Sequence, residues 1–297
     1  MSSVTGGCPL ALVILLLVSM DPTATEVVRS VSECAEFFLD GTPPKISGVL
    51  EEGDIKDQNR YKAICQTYNN GRRYMTLYDT VKKIPVFSAY KYTGESQPRD
   101  NIKYMGEPQL EDDRDNEKNM KPMGKKVLTH QAYFMDYYHL KKEGKYNRGH
   151  LFPSSHASNR FQRLSTYTLT NVVPQDRNFN SGSWGIMEVQ VKQLMEVCKS
   201  QNDNLEAFVV TGAILNDDTT TDQPEATVAR AAAIGIPKTL WTAFCCYSQS
   251  KQKWLANAHW GDNDGNPVLN TGTLAQLRDA KSVEPFPNDN CRGASQS

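Results

Sequence analysis

Residues 169–191 read LTNVVPQDRNFNSGSWGIMEVQV, and they place several polar side chains ahead of a helical pattern. From residue 184 to residue 200 the apolar side chains recur at intervals of three and four residues, which is the spacing of one helix face. These side chains are Ile186, Met187, Val191, Leu194, Met195 and Cys198. The pattern predicts a helix over residues 184–200.

A helix that begins as early as residue 180 would bring Asn180, Trp184 and Glu188 to one face, because they follow one another at intervals of four. An amide oxygen and a carboxylate on that face can serve one hydrated Mg²⁺, directly and through water. A neutral amide ligand leaves most of the metal's charge for a phosphate. The stretch therefore indicates a magnesium site at Asn180 and Glu188.

Residues 146–155 read YNRGHLFPSS, with an arginine and a histidine on either side of Gly149. Histidine is the natural general base near neutral pH, and the planar fork of arginine matches phosphate oxygens. We expect Gly149 to let the backbone present Arg148 and His150 to the same phosphate. Cleavage of a phosphodiester needs a nucleophile, a base, a stabilising positive charge and help for the leaving oxygen; His150 and Arg148 can supply the base and the charge, and Mg²⁺ can assist the leaving oxygen.

Each of these residues has a structural alternative when it is taken alone. His150 could be a buried structural histidine and Arg148 a surface cation. Asn180 could cap the N-terminus of a helix, and Glu188 could be a solvated helix residue. Only the combination favours a catalytic site.

The combination resembles the DNA/RNA non-specific endonuclease family, which has the ββα-metal fold. That family carries D-R-G-H, then T-N-x-x-P-Q, then N-x-x-x-W-x-x-x-E. This chain has NRGH at 147–150, TNVVPQ at 170–175 and NSGSWGIME at 180–188, in the same order and with the same internal spacings. The resemblance extends over roughly residues 34–291.

The resemblance implies a metal-dependent hydrolysis of DNA or RNA. His150 would be the general base that activates water. Asn180 would be the sole direct protein ligand of Mg²⁺, or of another divalent cation such as Mn²⁺. Glu188 would hold a water of the metal's hydration shell.

The remaining motif residues would support that chemistry. Arg148 would bind phosphate and stabilise charge, Asn171 would orient groups beside His150 and the metal, and Gln175 would support the site less directly. Asn147 stands where the family usually has aspartate, so this position keeps its shape and loses its charge.

Two other functions compete with the enzyme. The first is a weakened or inactive nuclease fold that binds nucleic acid or a protein partner without cutting, for which Asn147 is the best support. The second is a serine hydrolase built on Ser154, Ser155 and His156, although the chain has no G-x-S-x-G motif.

The charge distribution favours a polyanionic partner locally rather than globally. The 297 residues carry a net charge of −1. The segment 118–163 nevertheless holds ten Lys or Arg against two acids. A local basic potential can steer nucleic acid to the NRGH motif through phosphate contacts. A solvated lysine-rich loop is the alternative.

The rest of the chain predicts an α+β fold. Residues 74–80, 84–93 and 206–215 are rich in aromatic and β-branched side chains and predict strands. Residues 239–262 predict a hairpin, and residues 273–280 predict a short helix. The expected architecture is a central mixed or antiparallel sheet with flanking helices and long loops, which agrees with a ββα-metal fold.

The N-terminus predicts a secretory signal peptide over residues 1–25. Residues 9–20 read PLALVILLLVSM, an apolar run shorter than the ~20 residues that span a bilayer. Cleavage is expected near Ala24 or Thr25, with a retained signal-anchor as the alternative. Residues 26–297 would then form a single secreted, extracellular domain without a transmembrane segment. The oligomeric state is left open.

The cysteine count agrees with an oxidising compartment. Cys8 would leave with the signal peptide, and six cysteines would form three disulfides of open connectivity. Those six are Cys34, Cys65, Cys198, Cys245, Cys246 and Cys291. If Cys245 and Cys246 lie on a strand, they point to opposite faces and bond to different partners.

Overall fold

The computed structural model describes residues 26–94, 103–112, 114–124, 127–142, 144–200, 205–215, 234–266 and 268–292. The predicted signal peptide at residues 1–25 lies outside them. Within this part of the chain, no helix is both long enough and apolar enough to cross a membrane.

The described residues form the following strands: β1 (Val27–Val28), β2 (Lys45–Ile46), β3 (Leu50–Glu51), β4 (Asp54–Ile55), β5 (Tyr61–Tyr68), β6 (Gly71–Asp79), β7 (Ile84–Tyr92), β8 (Tyr146–His150), β9 (Val172–Asp176), β10 (Ala207–Ile214), β11 (Thr239–Ser248), β12 (Lys253–Asp262), β13 (Asn270–Gly272) and β14 (Val283–Glu284). The α-helices are α1 (Pro108–Glu111), α2 (Phe134–Lys142), α3 (Arg160–Ser165), α4 (Arg177–Phe179), α5 (Gly185–Glu196), α6 (Leu274–Lys281) and α7 (Asp289–Arg292).

An eight-stranded sheet runs through the centre of the domain in the order β1-β5-β6-β7-β10-β11-β12-β13. Every neighbouring pair in it is antiparallel. The predicted strands and the hairpin at residues 239–262 are confirmed, and the predicted helix at residues 273–280 is α6. The rest of the β structure is a small four-stranded sheet, β14-β2-β3-β4, and the two-stranded ribbon β8-β9.

Each face of the central sheet has its own hydrophobic core, because successive side chains of a strand point to opposite faces. On one face, Met187 and Val191 of α5 and Trp184 just before it are buried against the sheet. On the other face, the N-terminal segment and α6 pack against residues such as Trp241. Each large apolar side chain buried in this way contributes about 1.5–3 kcal/mol. The ribbon β8-β9 belongs to the α5 side.

Three disulfides join the segments that pack on the two faces of the central sheet to the sheet itself, and three were predicted. The pairs are Cys34–Cys65, Cys198–Cys246 and Cys245–Cys291. The adjacent cysteines of β11 do bond to different partners. Cys246 faces the α5 side and holds the end of that helix, whereas Cys245 faces the opposite core.

Helix α5 is shorter than predicted, and its register does not run unbroken back to Asn180. It begins at Gly185 and ends at Glu196. Residues 180–184 form a wide turn in which Gly182 has φ −96° and ψ −116°. Serine and glycine favour the helix weakly, and glycine alone reaches this conformation readily, so the helix breaks there. Only the Trp184–Glu188 half of the predicted face is helical.

Candidate active site

The β8-β9 ribbon carries most of the predicted site. His150 lies opposite Val172 and Arg148 opposite Pro174 in an antiparallel register. Gly149 is needed for close packing rather than for an unusual backbone conformation. A Cβ atom at that position would lie 2.0 Å from Oε1 of Gln175. The glycine therefore lets the two strands meet while Gln175 stays buried beneath them.

His150 lines a cleft of about 930 Å³ together with Asn180 and Glu188. Its ring packs edge-on against Tyr167 at a centroid distance of 5.1 Å. Burial, and then the charge of Arg148, lowers the pKa of His150 to about 4. The imidazole is therefore neutral at pH 7 and can accept a proton. Its Nε2 atom is shielded and has no hydrogen-bond partner among the described residues.

Arg148 is held within a group of aromatic rings. Its guanidinium carbon lies 4.6 Å from the ring centroid of Tyr104, 5.5 Å from Phe134 and 5.6 Å from Tyr137. Contacts of this kind orient a guanidinium without neutralising it. Its Nε atom has no hydrogen-bond partner in the described structure. Arg148 and Asn180 line a recess of about 240 Å³.

Asn180 connects the recess to the cleft, because it lines both. It follows α4, whose N-cap is Asp176. That carboxylate accepts hydrogen bonds from the backbone N–H groups of Asn178 and Phe179 at 2.8 and 3.3 Å. Asn180 is therefore not a helix N-cap, and within the described residues no hydrogen bond to its side chain is found. Its amide is available to a ligand.

Glu188 lies in the first turn of α5. Its Oε1 atom accepts a hydrogen bond from Nε1 of Trp184 at 3.1 Å. Burial raises the pKa of Glu188 to about 8. A lone carboxyl group in such surroundings holds its proton at neutral pH, and a neighbouring cation would favour the ionised form.

Asn171 is completely buried, and its side chain is fully occupied by structural hydrogen bonds. Its Oδ1 atom accepts from Ser88 Oγ and from the backbone N–H of Phe152, each at 3.0 Å. Its Nδ2 atom donates to the carbonyl oxygens of Phe152 and Thr166 at 3.1 and 3.0 Å. These bonds join the segment after His150 to the sheet, so the arrangement suits a positioning role.

Gln175 and Asn147 face each other across the ribbon. Gln175 is 1% exposed, and its Nε2 atom has no hydrogen-bond partner in the described structure. Asn147 is half-buried and lines the recess beside Arg148. The position at which the charge is lost relative to the family motif therefore faces the recess.

His156 is a structural histidine rather than the base of a serine hydrolase. Its Nε2 lies 2.9 Å from the carbonyl oxygen of Glu188, and its Nδ1 lies 2.9 Å from the hydroxyl of Tyr90. A carbonyl can only accept, so Nε2 carries the proton and Nδ1 accepts from the tyrosine. With both nitrogens engaged, the ring cannot activate Ser154 or Ser155.

The donors at the cleft suit a hydrated Mg²⁺. Among the described residues, no group of three or more His, Cys, Asp or Glu side chains is arranged to hold a metal. One amide and one carboxylate remain, at Asn180 and Glu188. Mg²⁺ commonly keeps several waters and takes one or two protein oxygens, so this small set fits it.

Three further residues of the site carry no sequence motif. Tyr104 contacts Arg148, and its ring centroid lies 6.1 Å from that of His150. Tyr167 packs on His150, and Arg163 lines the same cleft. Tyr104 comes from a polar stretch that shows no periodic pattern, so only the fold reveals it.

The sequence profile of the DNA/RNA non-specific endonucleases matches residues 56–277, a span that includes every predicted site residue. The chain belongs to the DNA/RNA non-specific endonuclease family. It is 27% identical over 221 residues to the human (Homo sapiens) Endonuclease domain-containing 1 protein. The aligned region covers 72% of this chain and 39% of that relative. The mouse (Mus musculus) protein of the same name is also 27% identical, over 72% of this chain and 38% of that relative.

The match spans about two fifths of the length of these curated relatives. In three dimensions, the chain is similar to a chain in the crystal structure of the EndoG/EndoGI complex, which describes the mechanism of EndoG inhibition. The TM-score is 0.53 at 15% identity, over 78% of this chain and 90% of that one. This likeness confirms the predicted ββα-metal nuclease fold.

Proposed function

We propose that this protein is a secreted, Mg²⁺-dependent endonuclease that hydrolyses phosphodiester bonds of DNA or RNA without regard to sequence. One observation carries the proposal. A histidine that is neutral at pH 7 shares a cleft with an amide that has no hydrogen bond within the described residues. The matching sequence profile and the nuclease fold support the same assignment.

In this mechanism His150 accepts the proton of the attacking water. A pKa near 4 keeps the ring unprotonated at neutral pH, so it is ready to act as a base. Arg148 binds the non-bridging oxygens of the scissile phosphate and stabilises their increasing negative charge. The aromatic rings around its guanidinium hold it in place for that contact.

Asn180 and Glu188 would hold the cation. A bound Mg²⁺ would supply positive charge to the phosphate and to the leaving oxygen. The amide of Asn180 would be the direct ligand, and the carboxylate of Glu188 would accept hydrogen bonds from the metal's water. Asn171 and Gln175 would keep the β8-β9 ribbon, and with it His150, in position.

Nucleic acid would bind mainly through phosphates. The basic segment 118–163 includes Arg148 and Arg163, which line the recess and the cleft respectively. Contacts to phosphates carry no base information, so cleavage would be tolerant of sequence and binding would weaken as salt rises.

Three disulfides support secretion after removal of residues 1–25, because such bonds persist in oxidising compartments. Residues 26–297 would then be one extracellular domain.

The second candidate function is that of a nuclease fold that binds without cutting. It is favoured by Asn147, which leaves the recess without the carboxylate of the family motif.

Two variants test the enzyme assignment across a Mg²⁺ titration, with turnover expressed per folded molecule. His150→Ala removes the base, so turnover should fall by about 10²–10⁴-fold and excess Mg²⁺ should not restore it. Asn180→Ala weakens the metal site, so high Mg²⁺ should restore part of its activity. If both variants cut at the parent rate, these residues are structural and the proposed site is wrong. A parent without activity at any Mg²⁺ concentration would support the binding function instead.

A further inference from the structure

Two aromatic side chains of α2 are exposed next to the phosphate-binding arginine. Phe134 and Tyr138 keep 49% and 47% of their surface accessible to solvent. They lie one helical turn apart, with ring centroids at 6.0 Å and ring planes inclined by 28°. We refer to Phe134 and Tyr138 as the aromatic pair. Two neighbouring aromatic rings that keep about half of their surface exposed are available for stacking with a ligand.

The aromatic pair does not line the recess itself but is linked to it through Arg148, which Phe134 contacts. The guanidinium carbon of Arg148 lies 5.5 Å from the centroid of Phe134, and Arg148 lines the recess with Asn180. A nucleotide whose phosphate meets that guanidinium would carry its base next to the same ring. The position of the pair therefore suits a nucleobase better than an unrelated partner.

The surrounding side chains suit a single strand. Lys142 ends α2, Lys145 precedes β8, and both are exposed. On the side of the cleft formed by α5, Ile186 and Val189 are 59% and 54% exposed. Proteins that bind single strands combine cations, which follow the backbone, with rings on which bases stack. A surface that met only the phosphates of a duplex would have no need of these apolar groups.

We propose that Phe134 and Tyr138 form a platform on which unpaired bases of the substrate stack, so that the enzyme prefers single-stranded or locally unpaired nucleic acid to intact duplex. The inference rests on the proposed phosphodiesterase function. A base within a duplex already has both faces covered by its neighbours, so it cannot stack on a protein ring without leaving the helix. Every base has a ring face, so the preference would concern strandedness and not sequence.

The test separates the contribution of the bases from that of the phosphates. Binding of an oligothymidylate strand and of an abasic strand of equal length would be measured by fluorescence anisotropy in EDTA, where cleavage does not occur. The variant is Phe134→Leu/Tyr138→Leu, which keeps apolar bulk and removes both rings. The matched control is Phe161→Leu. Phe161 is also exposed and lies next to an arginine, since the guanidinium carbon of Arg73 is 5.5 Å from its centroid. Unlike Arg148, however, Arg73 lines neither the recess nor the cleft.

The parent should bind oligothymidylate about 5- to 100-fold more tightly than the abasic strand, as expected for one stacked base or more. The double variant should lose that difference and keep most of its affinity for the abasic strand, because Tyr104 and Tyr137 still contact the guanidinium of Arg148. The control should match the parent. With Mg²⁺ present, the parent should cut single strands faster than duplex, and the ratio of the two rates should fall towards one in the double variant.

Two results would overturn the platform and leave the phosphate site intact. One is equal affinity of the parent for both strands. The other is an equal loss of affinity for both strands in the double variant, which would mean that the rings only support Arg148. Absence of salt-dependent binding to either strand would overturn the proposed function itself, and the platform with it.

Discussion

The Nε2 atom of His156 donates a hydrogen bond to the main-chain carbonyl of Glu188 over 2.9 Å. Tyr90, on β7, completes the link by donating from its hydroxyl to Nδ1 of the same ring. The start of α5, which carries a proposed metal-site carboxylate, is thereby tied to the central sheet. The histidine next to the NRGH motif is thus part of the support of the site.

Replacing His156 should lower both stability and activity. His156→Phe keeps a buried ring but removes two hydrogen bonds, which should reduce the free energy of unfolding by about 2–4 kcal/mol. Turnover per folded molecule should also fall, because Glu188 is no longer held. His156→Gln can still donate to the carbonyl and accept from Tyr90, so it should recover part of both losses. Urea unfolding and Mg²⁺-dependent cleavage measure the two effects, and equal stability of parent and His156→Phe would contradict this role.

The same histidine should make stability depend on pH. Burial lowers the pKa of His156 to about 4, against about 6.5 in an unfolded chain. Between these values the unfolded state binds the extra proton, so stability falls as the pH drops from about 6.5 to 4, by up to about 3 kcal/mol. Burial lowers the pKa values of His150 and His259 as well, and both residues are retained in His156→Gln. The difference in unfolding free energy between the parent and His156→Gln therefore reports the contribution of His156 to the pH dependence. A difference that does not change with pH would exclude this contribution.

Gly149→Ala should disrupt the β8-β9 ribbon. The new methyl group would lie 2.0 Å from Oε1 and 2.6 Å from Cβ of Gln175, so one strand must move. We expect a loss of about 1–3 kcal/mol from overpacking, together with lower turnover as His150 shifts. The double variant Gly149→Ala/Gln175→Gly removes the clashing side chain and should recover stability relative to Gly149→Ala. Thermal unfolding of the parent, Gly149→Ala and the double variant measures these stabilities. If the losses of the two substitutions are additive, the contact with Gln175 is not the cause of the destabilisation.

A buried pair of acids between β5 and the segment that precedes β9 should make the folded state less stable at alkaline pH. Glu26 and Glu107 are 1% and 0% exposed, and neither has a basic partner among the described residues. Burial raises the pKa of both carboxyl groups. The folded state therefore keeps a proton that the unfolded state releases, and stability falls as the pH rises above about 4.5. Glu26→Gln should remove this penalty and gain stability over the parent between pH 5 and pH 8, as measured by urea unfolding. A constant difference across that range would refute the prediction.

Restoring the charge of the family motif should raise activity. Asn147 lines the recess with Arg148 and Asn180. Asn147→Asp places a carboxylate there, and a negative charge next to a cation site should strengthen metal binding. We expect turnover at limiting Mg²⁺ to rise up to about tenfold, equivalent to about 1.4 kcal/mol. Asn147→Ser, which adds no charge, serves as the control and should not show the gain. An inactive parent that becomes active as Asn147→Asp would identify the natural protein as a weakened nuclease.

The candidate residues of the site could be named from local sequence and from the family resemblance, and their catalytic roles stay predictions. The spacings in NRGH and in the stretch from Asn171 to Glu188 match the family motifs, and this match is what names a candidate base, phosphate-binding residue and metal ligand, because the motifs lie in short, contiguous segments. The alternation of strand side chains likewise predicted that Cys245 and Cys246 would have different partners.

Tertiary structure decided the rest, because long-range packing leaves no periodic signal in the chain. It pairs Cys246 with Cys198 and Cys245 with Cys291, and it ends the helical face at Gly182. It also brings Tyr104 from a polar segment onto the guanidinium of Arg148. The sequence by itself determined which polar groups stand at the spacings of the family motifs, through residue types at fixed short intervals. Only the fold decided which groups surround and support them, since contacts between distant segments depend on how the helices and loops pack on the two faces of the central sheet.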